Sequence, residues 1–165
     1  MAHAMRQISL VGELEADVEI KASAKKFHQM LAGRPQDISK ATPDNIQGCD
    51  LREGEFGKVG SILICNYVVD GQAKVAKERL EAVDQEKNLS AFRIIEGDLM
   101  KEFKSFLVTI QATQNQRGPG SVVKCHLKYE RNDEKVAHPE KLLAVLVKSY
   151  KDMGEHGGNA FVRRL

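Results

Sequence analysis

The sequence predicts an α+β fold in which a curved antiparallel sheet of seven strands wraps a long C-terminal helix, with one or two short helices after the first strand. Three observations predict it. Residues 6–20 alternate between apolar and mostly charged positions, as a half-buried strand does. Residues 46–129 break into apolar-rich runs joined by turns too short for parallel crossovers. From Pro139 onward the apolar period lengthens to that of a helix. A helix laid into one face of such a sheet covers the apolar surface of both. At 165 residues the chain is sized for one domain, residues 1–165.

In the first strand Ile8, Leu10, Gly12, Leu14, Ala16, Val18 and Ile20 share one parity. Ser23 caps a short helix over 24–31, with Phe27, Met30 and Leu31 on one face. Gly33, Pro35 and Pro43 break the next stretch around a further short helix near 36–40. The loop 54–61 holds Gly54, Gly57 and Gly60; Val59 follows Lys58, which excludes a phosphate-binding P-loop. Asp70-Gly71 between 61–69 and 72–84 is a tight hairpin signal. Turns at 84–88, 97–98 and 118–120 then separate strands over 89–96, 101–113 and 121–131. Pro139 suits the first turn of the last helix. Its apolar stripe is Leu142, Leu143, Val145, Leu146, Val147, Tyr150 and Met153. Gly154, Gly157 and Gly158 read as its end, which leaves 155–165 as a loose tail.

Composition narrows the function. The net charge is +2 with both signs mixed along the chain, without the concentrated basic stripe that nucleic-acid binding leaves. No run approaches the ~18 apolar residues of a membrane helix. The first residues lack the apolar core of a secretory signal, so a cytoplasmic protein is expected. Cys49, Cys65 and Cys125, odd in number and without a close pair, argue against a disulfide framework and against Cys-x-x-Cys metal chemistry. His3, His28, His138 and His156 show no metal-ligand spacing with carboxylates, and no serine-nucleophile motif is present. Neither metal nor cofactor is expected, and the assembly expected is a monomer or weak dimer.

Specific stretches carry a resemblance. They are Pro43-Asp44-Asn45-Ile46-Gln47-Gly48-Cys49-Asp50-Leu51, Glu53-Gly54-Glu55-Phe56-Gly57-Lys58-Val59-Gly60-Ser61-Ile62, Ala73-Lys74-Val75-Ala76-Lys77-Glu78 and Glu96-Gly97-Asp98-Leu99-Met100-Lys101-Glu102-Phe103-Lys104-Ser105-Phe106, with Val122-Val123-Lys124 and Tyr129-Glu130. In this order, over residues 7–153, the chain resembles the major latex proteins, a plant branch of the birch-pollen-allergen (Bet v I) superfamily with the START-like helix-grip fold. The resemblance implies a large internal cavity between sheet and final helix. It implies binding of an apolar plant metabolite, as carrier or sensor in defence or specialised metabolism. A few relatives, norcoclaurine synthase among them, are cyclases or isomerases, so catalysis in the same cavity is the alternative. Members usually carry Trp at the positions of Cys65 and Cys125, and the smaller residues here imply an enlarged or reshaped cavity.

Alternation and the resemblance together nominate ligand-binding residues: Leu63, Cys65, Tyr67, Leu80, Phe92, Ile94, Phe106, Val108, Ile110 and Cys125 on strands. Phe27, Met30, Leu143, Leu146, Val147 and Tyr150 join them from helices. Polar residues on inward parities are the candidates for acid/base work: Glu78, in step with Ala76 and Leu80, and Lys104, in step with Phe106 and Val108. His126 is the third, although its strand's apolar parity is Val123, Cys125, Leu127 and Tyr129, so a bulge would be needed to turn it inward.

Overall fold

The computed structural model of the protein describes residues 9–163, with side-chain surroundings through Glu155. Positions 6–8 of the expected first strand therefore lie outside the described residues. The strands are β1 (Val11–Ile20), β2 (Ile46–Glu53), β3 (Ile62–Val69), β4 (Gln72–Asp84), β5 (Leu89–Gly97), β6 (Phe103–Gln114) and β7 (Ser121–Arg131). They form one antiparallel sheet in the order β1-β7-β6-β5-β4-β3-β2. The first strand thus closes against the last, and β1 and β2 become the two edges.

Between those edges run α1 (Ala24–His28), a π-type turn Gln29–Gly33, a 3-10 turn Pro35–Asp37 and α2 (Ile38–Ala41). The Ser23 hydroxyl accepts the Lys26 N–H, which supplies one of the acceptors a helix start lacks. Thr42, just after α2, donates its hydroxyl to the Asp152 carboxylate on the final helix at 2.9 Å, which ties the short helices to it.

Turn chemistry sets the hairpins. Asp70 and Gly71 take φ values of 56° and 76°, the paired positive angles of a type I′ turn that matches strand twist. Asp84 accepts the N–H groups of Glu86 and Lys87 at 3.1 and 3.2 Å and so closes the β4–β5 turn.

The helix α3 spans Glu140–Arg163 and packs against β1, β7, β3 and α2. It does not end at Gly154. A Cβ there would collide with the Ile20 side chain, so this glycine is where α3 crosses the end of β1. The core beneath includes Phe27 edge-on to Tyr150 at 5.7 Å, and Phe103 edge-on to both Phe106 and Tyr129. Among the described residues no helix is long and apolar enough to cross a membrane.

One expectation is overturned. Cys49 and Cys65 stand opposite each other in the β2–β3 register and are joined by a disulfide, while Cys125 is free and buried. The two are 16 residues apart, and strand pairing rather than sequence proximity unites them.

Candidate functional site

Under α3 the sheet leaves an internal cavity of about 90 Å³. Alternation supplies its walls, because inward side chains from neighbouring strands converge on one face. Leu63, Cys65 and Tyr67 come from β3, Ala76 and Glu78 from β4, Phe92 and Ile94 from β5, and Val108 and Ile110 from β6. Ile46 and Cys49 close the β2 edge, and Leu99 caps one side from the turn after β5. From above come Leu142, Val145, Leu146, Ser149, Tyr150 and Met153 of α3, with Leu31, Pro35 and Ile38 of the short-helix segment.

Of the nominated apolar residues, Leu63, Cys65, Tyr67, Phe92, Ile94, Val108, Ile110, Leu146 and Tyr150 line this space. Phe27, Met30, Leu80, Phe106 and Cys125 are instead buried in solid core, and Leu143 and Val147 are partly buried against it. Of the two positions where a Trp is usual in the resembling family, Cys65 faces the cavity and Cys125 does not. The cavity is also smaller than the resemblance implies. It falls well short of the ~300 Å³ at which ordinary ligand pockets begin. Admitting a larger molecule requires a wall to yield. Sequence reasoning missed the contributions of Leu31, Pro35, Ile38, Ile46, Cys49, Ala76, Leu99, Leu142, Val145, Ser149 and Met153. Of the α3 residues among them, Leu142, Val145 and Met153 belong to its apolar stripe, and α3's rotation decides which of that stripe, with Ser149 beside it, meets free space.

The three polar candidates part company. Glu78 lines the cavity, and burial raises its carboxyl from 4.5 to about 7. Its Oε1 lies 3.5 Å from Cys65 Sγ. A disulfide sulfur carries no proton, so in this contact the protonated carboxyl is the donor. Lys104 is 57% exposed and pairs with Glu130 at 3.6 Å on the outer face. The β6–β7 register slips between Phe103 and Ser105, so Phe103 and Phe106 both turn inward and Lys104 turns out. His126 also faces outward, 2.9 Å from Glu13, on a strand whose register runs without interruption past it.

Two phenols and one serine hydroxyl complete the polar inventory of the cavity wall. The Tyr67 hydroxyl is pushed up to about 12 by burial, then by the negative charges of Asp98, Glu78 and Glu102. The Tyr150 hydroxyl is raised well above its ordinary range by burial and hydrogen-bonds the Cys125 thiol, itself pushed up to about 12 by burial. Both phenols therefore stay protonated at neutral pH. Ser149 spends its hydroxyl on the Val145 carbonyl at 2.8 Å. Among the described residues no cluster of His, Cys, Asp and Glu could hold a metal ion.

Comparison with known proteins agrees with this architecture. The family model described as "Pathogenesis-related protein Bet v 1 family" matches residues 9–158. MLP-like protein 28 of Arabidopsis thaliana is 65% identical over 148 residues, 90% of this chain, although the chain spans 44% of that relative's length. MLP-like protein 31 of the same plant is 64% identical, with 90% of this chain and 86% of the relative covered. Among solved structures, ginseng major latex-like protein 151 from Panax ginseng superposes with a TM-score of 0.84 at 39% identity, covering 90% of this chain and 98% of its own. With the seven-stranded START-like sheet gripping α3, these matches settle the lineage: the chain belongs to the Bet v 1 family, alongside the major latex proteins.

Proposed function

We propose that this protein binds an apolar plant small molecule in the cavity between sheet and α3, as a cytoplasmic carrier or sensor in defence or specialised metabolism. The observation that supports it is a space beneath α3 walled by aliphatic and aromatic side chains around a single carboxyl, that of Glu78. Affinity in such a site comes from removing apolar surface from water, at ~25 cal/mol per Å² before the costs of association. Glu78 and the hydroxyls of Tyr67 and Tyr150 give the ligand's polar end a place to hydrogen-bond and so an orientation.

The test is equilibrium titration with the neutral fluorophore Nile red, followed by competition with fatty acids and sterols. Saturable one-to-one binding is expected. Leu146→Trp, which drives an indole into the cavity, should weaken it by roughly tenfold or more with the helical and strand circular dichroism kept. Non-saturable binding, or a Leu146→Trp variant that binds normally, would sink the reading.

A cyclase or isomerase is the second reading, and the carboxyl of Glu78, poised near neutrality inside the cavity, is what favours it. It predicts that a metabolite from the source tissue is converted to an isomer and that Glu78→Gln abolishes the conversion. With Lys104 and His126 on the outside, Glu78 would have to both give and take the proton, or share the task with a tyrosine.

A further inference from the structure

The disulfide occupies a mechanically telling place. β2 is a sheet edge, hydrogen-bonded to β3 on one side. Its pairing slips twice, between Ile46 and Gly48 and between Leu51 and Glu53, so regular register survives in the short stretch centred on Cys49 and Cys65. Both cysteines line the cavity, as does Ile46 on the same strand, and α2 packs onto β2 from above. The covalent bond therefore pins one wall of a space too small for a sizeable ligand. We propose that the Cys49–Cys65 disulfide is a thiol-exchange site, opened by a low-molecular-weight thiol, and that its reduction frees β2 to move and lets the cavity widen for its ligand. This rests on the ligand-binding reading above.

The chemistry balances with two thiol molecules. Cys49 and Cys65 are each 7% exposed, so a thiolate, its proton lost to solvent, reaches and attacks Cys49 Sγ when the β2 edge opens away from the core. The Cys49–Cys65 bond breaks as a mixed disulfide forms on Cys49, and the electron pair leaves on Cys65 Sγ. The Glu78 carboxyl, 3.5 Å away, supplies the proton that makes Cys65 a thiol and is then reprotonated from solvent. A second thiolate resolves the mixed disulfide, leaving a Cys49 thiolate that takes a proton from solvent. Two small thiols are oxidised to one disulfide while two cysteines are reduced. The carboxyl's shift to about 7 keeps a large share of it protonated at neutral pH, as the step requires. Cys125 stands aside: it is fully buried, and its thiol is held far above neutrality.

The experiment equilibrates the full chain across mixtures of reduced and oxidised glutathione, then alkylates it in denaturant and counts labels by intact mass. Nile red affinity is read in parallel. The expected result is one alkylated cysteine at the oxidising end and three at the reducing end, with affinity rising about fivefold or more on reduction. Cys49→Ser, without reductant, should bind like the reduced wild type. Glu78→Gln should slow opening roughly tenfold or more. Three alkylatable cysteines under fully oxidising conditions, or equal affinity in the two states, overturns the proposal; an unchanged opening rate in Glu78→Gln overturns the part given to that carboxyl. Nile red bound by neither state would instead overturn the ligand-binding reading, and this inference with it.

Discussion

An ionised Glu78 would place a negative charge in an apolar cavity beside a sulfur, and the fold resists this by holding the proton. Its folded-state value of about 7 lies above the 4.5 of the unfolded chain. The folded protein therefore keeps a proton that the unfolded chain releases. The contribution of Glu78 to stability is fullest below pH 4.5, declines as pH rises toward 7, and levels off above it, with a total loss of about 3 kcal/mol. Glu78→Gln should match wild type at pH 4 and exceed it at pH 8 in urea unfolding; equal stability at pH 8 would contradict this burial. His28 acts in the opposite sense. It is 2% exposed, and neither ring nitrogen makes a hydrogen bond of good geometry. Burial lowers its pKa from 6.5 against the opposing influence of Gln85 and Asp84. Its neutral form is the folded one, so its contribution is intact above pH 6.5 and lost as pH falls below it. His28→Leu should flatten the stability profile between pH 7 and 5 and raise stability at the acid end, read by urea unfolding at both pH values. Parity alone placed Glu78 correctly in the sequence. It misplaced Lys104, because the register slip beside Phe103 depends on which aromatic rings the core accepts, and no local pattern records that.

The elements were legible where local chemistry decides them. Asp70-Gly71 needs positive φ at both positions, and the hairpin follows wherever it sits. Gly154 shows the limit of that reasoning. As a sequence feature it looks like a helix stop, yet α3 runs on to Arg163, and its reason is the Ile20 side chain against the helix backbone. Replacing it sets two effects against each other. Ala is the better helix former by ~1 kcal/mol, while overpacking at a close crossing costs ~1–3 kcal/mol. The crossing should win, so that Gly154→Ala lowers the thermal midpoint; a raised midpoint would mean that α3 shifts away from β1 at little cost. The disulfide was illegible for a similar reason. Its partners meet through the β2–β3 register, and the two slips that frame it leave no count by which spacing could reveal it.

At the scale of the molecule, strand number, helix position and antiparallel pairing all follow from short turns and a change of period. What they do not contain is the cavity, since a solid core would use the same residue types. The pairing of β1 with β7 is also invisible locally, for Val11 meets Glu130 and Ile20 meets Ser121. Contacts so distant in sequence close last, when loop entropy has been reduced by other pairings. In pulsed hydrogen exchange during refolding, the β1 amides should gain protection after those of the β3–β4 hairpin; simultaneous protection would refute that order. The same pairing has a meaning for synthesis. At the ribosome's ~5–20 residues per second, roughly 5–20 s separate the emergence of β1 from that of its partner. Throughout that interval β1 is bare along both sides, open to any passing strand, and Glu13, Glu15, Asp17 and Glu19 along its outer face are the charges that discourage such company, as they go on doing for the one edge left free after β7 arrives.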